Sequence, residues 1–439
     1  MKKSSIIEIL ITLSLVICFF ILIVMRDTLS RQLFISGMFI LVDIYVLIAF
    51  LSLVSDQRSK WLLAATYIII SLYGYYGMFV AFERWRTDPG LASPLHNFTI
   101  GFAFTLLVSK FVLVLGLVIQ DIGRLIYGTG QSMAGLFINV LSENGFPQRR
   151  NFLTTAAATI AAVPFFSMLY GITFGKYNYT VEHLKLSFKD LPKAFNGLKV
   201  VQISDAHAGS WDSVDKVQQG ITKINELKPD IVVFTGDLVN GNKNEINPFI
   251  DVFADIEAPM GKFAVLGNHD YYGTPRDPSH EEAYWVDFLN KYKKMGFDLI
   301  LNENRAITKD GEQIKLIGVE NWGAGRWFPK KGDLDKACQG CGENDFAILL
   351  SHDPTHFDEH VVDHSQKIHL TLSGHTHGMQ FGVKFKNFQW SPVQYRYKKW
   401  MGLYEVKDQF LYVNRGFGFL GFPGRVGMWP EITCIELNA

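Results

Sequence analysis

Seven residues able to donate to a metal ion, Asp205, His207, Asp237, Asn268, His352, His375 and His377, fall in five short polar clusters. The clusters read VVQISDAH (200–207), GDLVN (236–240), GNHD (267–270), SHD (351–353) and GHTHG (374–378). Carboxylate, amide and imidazole together form a hard-to-borderline donor set, suited to Mn, Fe or Zn rather than to Ca or Mg alone. Seven such donors are too many for one ion. They suit two adjacent ions sharing a carboxylate, an arrangement that clamps the attacking and leaving oxygens of a phosphoryl group. Any one of these histidines could instead cap a strand or satisfy a core hydrogen bond. Five clusters recurring in the same structural context weigh against that reading.

The context is set by what precedes each cluster. The later four follow the apolar runs IVVF, FAVL, FAILL and IHLTL, and Asp205 follows a buried-type run of its own. Short apolar runs ended by Gly, Asp, Asn or His read as buried strands with polar residues at their carboxyl ends. In open α/β sheets, sites form outside those ends. Between the strands, Val214, Val217, Ile221, Ile224 and Leu227 mark one helical face over 213–227, and 281–295 repeats the pattern with acidic residues at its start. Further strands are predicted in IKLIGVE (314–320), GLYEVKDQFLYVNRG (402–416) and EITCIELNA (431–439). The alternation predicts a layered α/β domain of about 260 residues.

In this order the clusters resemble the signature of the calcineurin-like metallophosphoesterase superfamily, and within it the membrane-associated bacterial branch: Asp-x-His, Gly-Asp-x-x-Asp, Gly-Asn-His-Asp/Glu, a lone His and Gly-His-x-His. The resemblance covers residues 177–439. It implies a β-sandwich flanked by helices with the metals at one edge. One metal would take Asp205, His207, Asp237 and His377, and the other Asp237, Asn268, His352 and His375, with Asp237 bridging. His269 would stay off the metals and face the substrate as a general acid or phosphate-binding group. Asn240 stands where the family usually has Asp, which bears on how the site is tuned. The implied reaction is hydrolysis of a phosphate ester or pyrophosphate by metal-activated hydroxide, with the two divalent ions also neutralising phosphoryl charge. His356, His360, His364 and His369 lie outside the motifs and read as surface or core histidines.

The rest of the 439-residue chain is of a different kind. The full chain's 42 basic and 42 acidic side chains balance, so no nucleic-acid partner is expected. Hydrophobic residues make up 48% of it, and their excess lies in the first third. Four runs there, 6–24, 33–54, 61–82 and 98–119, approach or exceed the roughly 20 residues that span a bilayer, and a fifth covers 152–173. The first has no small-residue cleavage site, so an anchor is expected over a signal peptide. This divides the chain into a four-helix transmembrane region (1–120), a cytoplasmic connector with a fifth span (121–176) and the phosphoesterase domain (177–439). Glu8, Asp43 and Lys110 fall in or near spans, where a charge is costly and often functional; for Glu8 and Lys110, snorkelling to an interface or pairing within the bundle is the expectation and an ion pathway the alternative.

Lys2, Lys3, Arg58, Lys60, Arg124, Arg149 and Arg150 mark the cytoplasmic side against Arg26, Arg31, Arg84 and Arg86 outside, which places the domain outside the cytoplasm at the inner membrane. The sequence QRRNFL (148–153) before the fifth span resembles a twin-arginine export signal, with Gln148 in place of Ser or Thr. The segment before it is Gly-rich, with a weakly amphipathic piece at 133–145, and reads as a connector or interfacial helix. Cys338 and Cys341 form a lone CQGC, which leaves a local disulfide and two free thiols equally open and gives no support to a zinc ribbon.

Two functions of another class compete: a transporter or sensor with an appended metal-binding regulatory domain, and a catalytically inactive scaffold. The complete ligand set argues against the scaffold. The lack of a repeat or broken-helix signature argues against transport. Two loops rich in aromatic and basic residues, WGAGRWFPKK (322–331) and FKNFQWSPVQYRYKKW (385–400), are joined by Phe417, Phe419, Phe422 and Trp429. Their composition is that of bilayer interfaces, with Trp327 and Trp400 the named anchors, and it would fit a lipid-linked substrate. Packing of a small β-rich subdomain is the competing reading.

Overall fold

The computed structural model describes residues 28–86, 92–135, 147–385 and 388–439. The expected first span with Glu8, Cys18 and most of the amphipathic piece at 133–145 lie outside these residues. The chain divides into two compact units, Met1–Ala81 with Thr99–Leu169, and Phe82–Phe98 with Tyr170–Ala439.

The first unit is helical, drawing on α1 (Thr28–Leu51), α2 (Gln57–Arg86), α3 (Pro94–Gly135) and α4 (Pro147–Thr173). Among the described residues, three helical stretches are long and apolar enough to cross a membrane: Gln57–Val80, Pro94–Tyr127 and Asn151–Thr173. Gly37–Leu51 in α1 is a shorter apolar helix. Small residues set the helix contacts, as they do where lipid removes the hydrophobic drive between helices. A Cβ on Gly77 would strike the Thr99 carbonyl and Ala103, and one on Gly116 would strike Ala157.

Of the three charges flagged in or near spans, Asp43 and Lys110 meet each other. The Asp43 carboxylate accepts from Tyr67 (2.5 Å), Ser71 (3.2 Å), Tyr75 and Lys110, and the Lys110 ammonium also donates to Ser71 Oγ at 2.9 Å. An ion pair with these hydroxyls offsets its own desolvation, the arrangement expected for charges at membrane depth. Helix α3 runs into the segment read as a connector or interfacial helix. It continues unbroken through Gly123, Gly128 and Gly130 to Gly135, so residues 121–135 are helical.

In the second unit two six-stranded sheets face each other. One has the order β1 (Thr180–Ser187), β14 (Glu431–Asn438), β2 (Leu198–Ile203), β3 (Ile231–Thr235), β4 (Lys262–Val265) and β5 (Phe297–Leu299). The other runs β12 (Gly402–Val406), β13 (Gln409–Val413), β9 (Leu370–Ser373), β8 (Ala347–Leu350), β7 (Glu312–Gly318) and β6 (Glu303–Lys309). Neighbours β2, β3 and β4 are parallel, as are β7, β8 and β9, so the carboxyl ends of each set share one edge.

Alternation along the strands builds the layers. Val200, Val233 and Val265 pack inward against Leu316, Ile348, Leu350 and Leu372 of the facing sheet. Val201, Val232 and Phe234 face outward, onto a layer holding α5 (Val214–Glu226), α6 (Ile250–Ala254) and α7 (Pro278–Lys294). Ile317, Leu349 and Val413 pack under the short helix α8 (Leu334–Ala337). The result is a β-sandwich flanked by helices. Helix α5 starts where Ser213 accepts from the Lys216 N–H (3.3 Å), and α7 starts at Pro278 behind an Asp277 cap, earlier than the acidic residues alone indicate.

Three further features add to the expectations or decide between alternatives left open. Residues of Phe82–Phe98, expected to be a plain loop, join this unit: Ala92 N–H donates to the Trp211 carbonyl (3.2 Å), and Asn97 donates to the Ser210 carbonyl (2.9 Å) and to Asp212 (2.8 Å). Cys338 and Cys341 are free thiols, partly buried under the second sheet. Trp400, named above as an interfacial anchor, is instead buried with Val393, Met401 and Met428, and Phe417 and Phe419 are core residues. For these aromatics packing is the correct reading.

Candidate metal centre

Every expected ligand lies two to four residues past a strand end: Asp205 and His207 after β2, Asp237 after β3, Asn268 after β4, His352 after β8, and His375 and His377 after β9. The two sheet edges are pinned together there, since Gln202 donates to the Ser373 carbonyl (2.9 Å) and His352 Nδ1 to the Thr235 carbonyl (2.7 Å). Turning each side chain inward so soon after a strand needs unusual backbone. Asp205, His207, Asp237, His375 and His377 all adopt left-handed φ, between 47° and 72°. Each such non-glycine residue costs of order 1–3 kcal/mol and persists only where its surroundings enforce it. Gly374 admits this crowding because a Cβ there would collide with Ser204 Oγ and Asp205 Oδ2.

The side chains form two clusters, Asp205 with His207 and His377, and Asp237 with His352 and His375, and the ligand atoms within each lie within 4.8 Å of one another. In the first, His377 Nε2 is 3.2 Å from Asp205 Oδ1 and 3.0 Å from His207 Nε2. In the second, His375 Nδ1 is 3.3 Å from His352 Nε2. One oxygen faces both: Asp237 Oδ2 lies 3.1 Å from His352 Nε2 and 3.6 Å from His207 Nε2.

These residues fit cations. Because His352 Nδ1 must be the donor to a carbonyl, its Nε2 lone pair points at a carboxylate oxygen, an arrangement relieved by a proton or a metal ion. With no metal between them, burial opposes charging of His352, but Asp237 and Asp205 outweigh it and raise its pKa to about 10. Asp237 is held well below the usual carboxylate range, with His352 and His269 overcoming the cost of burial. Asn268 is buried, its Nδ2 donates to Tyr272 Oη (3.0 Å), and its Oδ1 has no hydrogen-bond partner, as a carbonyl reserved for a cation would have.

The surroundings hold these groups in place, and sequence reasoning missed most of them. Asp270, the last residue of GNHD, is fully buried and accepts from the N–H groups of Asp237 (3.0 Å), Leu238 (2.9 Å) and Gly267 (2.8 Å). It thereby ties the Asp237 turn to the Asn268 turn. Burial, and then the nearby Asp237 charge, push its pKa up to about 7. Tyr397 Oη lies 2.8 Å from His375 Nε2, and the Phe328 ring packs edge-on to His375 with centroids 4.9 Å apart. Arg425 is fully buried, donates to the carbonyls of Arg415 (2.9 Å), Gly418 (2.8 Å) and Met428 (3.0 Å), and places Nη2 3.3 Å from His377 Nδ1. Only Asp270 had a local signal, its place beside Asn268.

His269 belongs to neither cluster, although its ring packs edge-on to His207 with centroids 4.8 Å apart. Its N–H donates to Asp237 Oδ1 (2.8 Å) and its Nδ1 to the Asn240 carbonyl (2.8 Å), which leaves Nε2 as the accepting nitrogen. The Asn240 side chain donates to Ser210 Oγ (3.0 Å), and its N–H donates to Glu245 at 2.5 Å. Asn240 therefore braces the site from outside the two clusters. The histidines His356, His360, His364 and His369 are core or surface groups: His356 is buried against Ser351 Oγ (2.9 Å), and His369 stacks on Phe346.

Comparison with known proteins agrees with this geometry. Residues 198–379 match the family described as calcineurin-like phosphoesterase, and residues 25–176 match the family described as probable calcineurin-like phosphoesterase, transmembrane domain. The uncharacterized metallophosphoesterase YkuE of Bacillus subtilis (strain 168) is 30% identical over 304 residues, covering 66% of this chain and 98% of that protein. A transmembrane protein with metallophosphoesterase domain from Danio rerio is 30% identical over 292 residues, and the match covers 65% of this chain and 62% of that protein. The phosphodiesterase YaeI of Escherichia coli (strain K12) is 27% identical over 290 residues, covering 66% of this chain and 98% of YaeI. The chain belongs to the calcineurin-like metallophosphoesterases, metal-dependent phosphoric ester hydrolases, in a membrane form.

The role of Asp270 can be tested directly. Asp270→Ala leaves buried N–H groups of both ligand turns unpaired, each costing about 1–3 kcal/mol. Thermal unfolding should move to lower temperature, and elemental analysis should find less metal per chain even though no ligand has been changed. Full metal content in a destabilised variant would show that the turns keep their geometry without the clamp.

Proposed function

We propose that this protein is a membrane-anchored dinuclear-metal phosphoesterase, with Asp205, His207, Asp237 and His377 holding one ion and Asp237, Asn268, His352 and His375 the other. The observation that carries the reading is the single oxygen, Asp237 Oδ2, within 3.6 Å of histidines from both clusters. The donor set fits Mn, Fe or Zn. When bound, two such ions supply Lewis-acid charge to phosphoryl oxygens and lower the pKa of water. The chain's own residues do the rest. Asp205 and Asp237 balance the added positive charge, Asp270 fixes the spacing of two ligand turns, and His269 Nε2 takes up a proton or hands one to the leaving oxygen. Phosphoryl transfer asks mainly for such positioning and neutralisation.

Asp237→Ala should remove both ions and abolish hydrolysis of a generic phosphodiester by the full chain in detergent. His269→Gln should keep both ions while lowering turnover about 10²- to 10⁴-fold. Loss of metal in the His269 variant would make His269 a ligand, and one ion retained at full occupancy in the Asp237 variant would end the bridging role.

For orientation, the domain lies outside the cytoplasm in this proposal. Arg149 and Arg150 sit in the first turn of α4 and the domain follows its last turn, so the basic pair and the domain lie at opposite ends of one span. The unit shared by Phe82–Phe98 and the domain supports the same reading, because the basic-residue pattern puts that loop outside as well. A reporter active only outside the cytoplasm, fused after Ala439, should give signal, and Arg149→Lys with Arg150→Lys should abolish it if export follows the twin-arginine route. A silent fusion in the unmodified chain would reverse the topology, and a signal unchanged by the double substitution would remove the route.

The substrate in this proposal is lipid-linked. Exposed aromatics stand close in sequence to residues that touch the second cluster: Trp327, 89% exposed, adjoins the Phe328 that packs on His375, and Tyr395, 80% exposed, lies two residues from Tyr397. Trp327→Ser with Tyr395→Ser should slow hydrolysis of a phosphorylated lipid in vesicles and leave hydrolysis of a small soluble phosphoester nearly unchanged. Equal loss on both substrates would mean damage to the site, and equal retention would mean a soluble substrate.

A further inference from the structure

Strands β10 (Val383–Phe385) and β11 (Phe388–Trp390) form a two-stranded hairpin that joins neither six-stranded sheet. An isolated hairpin is marginally stable in water. Its register pairs Val383 with Trp390, Lys384 with Gln389 and Phe385 with Phe388. Paired residues share a face and successive residues alternate, so Val383, Phe385, Phe388 and Trp390 lie on one face and Lys384 and Gln389 on the other. The polar face is held by the domain, because Lys384 Nζ bonds Glu182 Oε1 in β1 at 2.6 Å. Val383, Phe385 and Phe388 are 50%, 67% and 61% exposed. A hairpin with one aromatic face turned outward and one charged face tied down is built to lie on something apolar.

Its root shows what that is. Gly382 N–H donates to the Val426 carbonyl (2.9 Å) and Val426 N–H to the Gln380 carbonyl (2.7 Å). The same short segment meets the end of α4 on its other side: Arg425 N–H donates to the Gly171 carbonyl (3.3 Å), Trp429 packs against Tyr170 at 5.8 Å between centroids, and any Cβ on Gly171 would strike the Arg425 carbonyl. One segment, 425–429, therefore separates the hairpin from the last turn of a helix long and apolar enough to cross a membrane. Tyr170 and Phe174 at that helix end are 49% and 67% exposed, which places aromatic rings at the depth where an interfacial belt forms.

We propose that the β10–β11 hairpin rests its apolar face in the headgroup–acyl boundary of the leaflet from which α4 emerges, so that the lipid bilayer is its partner. The hairpin root follows the ligand His377 by only a few residues, so this contact holds the metal-bearing edge of the domain at the membrane surface. The inference rests on the α4 span and not on the identity of the substrate, so a soluble phosphoester substrate would leave it standing.

The test uses the full chain reconstituted in phosphatidylethanolamine–phosphatidylglycerol vesicles, with p-benzoylphenylalanine replacing Phe388, Phe385 or, as control, Gln313. Gln313 is exposed near the amino end of β7, away from the strand ends that carry the ligands. After irradiation, mass spectrometry should find lipid adducts at positions 388 and 385 and only background at 313. Background at all three positions would overturn the proposal, as would crosslinks from 388 to a second copy of the chain in place of lipid.

Discussion

The Asp237 carboxylate lies inside the protein, with His352 and His207 within 3.6 Å of one of its oxygens and a second buried carboxylate, Asp205, in the neighbouring cluster. Taking such charges out of water is costly unless cations or hydrogen bonds compensate them. Much of the surrounding structure answers that constraint. Parallel strands of the two sheets deliver ligands to one edge, five ligand residues accept left-handed backbone so that their side chains turn inward, and Gly374 gives up a side chain where Asp205 needs the space. Asp270 fastens the Asp237 and Asn268 turns through their amides. The apolar layers between and outside the sheets provide the stability against which this local strain is held.

The same edge is tied to the end of α4. The segment carrying Arg425, whose guanidinium reaches His377 Nδ1, also bonds the last turn of α4 through its backbone. The metal cluster, the end of the span and the root of the amphipathic hairpin therefore share one short stretch of chain. Within the helical unit, Asp43 and Lys110 satisfy each other with three hydroxyls from α2. Charges paired in this way hold helices together, which weakens the case for an ion pathway through them.

How much of this was legible in the sequence depends on the range of the interaction. The strands, the two helical faces and the order of the ligand motifs were readable because apolar periodicity and strand-end chemistry are local. The α/β sandwich followed from them together with the family resemblance. Asp270 was visible as a letter of GNHD, but its role depends on amides more than thirty residues away in sequence. Arg425, Tyr397 and the Ala92–Phe98 segment carry no local signal at all, because their partners lie on other elements. In the sequence Trp400 is open to two readings for a related reason: aromatic composition is the same in a bilayer interface and in a small core, and only burial against Met401 and Met428 distinguishes them. The extension of α3 past residue 120 shows the limit of glycine as a helix breaker when each costs only about 1 kcal/mol.

The most direct test of the central claim is crystallography of the metal-loaded protein with anomalous data collected on both sides of the metal absorption edge. Two anomalous peaks about 3.5–4 Å apart, the spacing of two-metal phosphoesterase sites, with Asp237 Oδ2 between them, are the predicted result. A single peak, or two peaks of which only one touches Asp237, would contradict it.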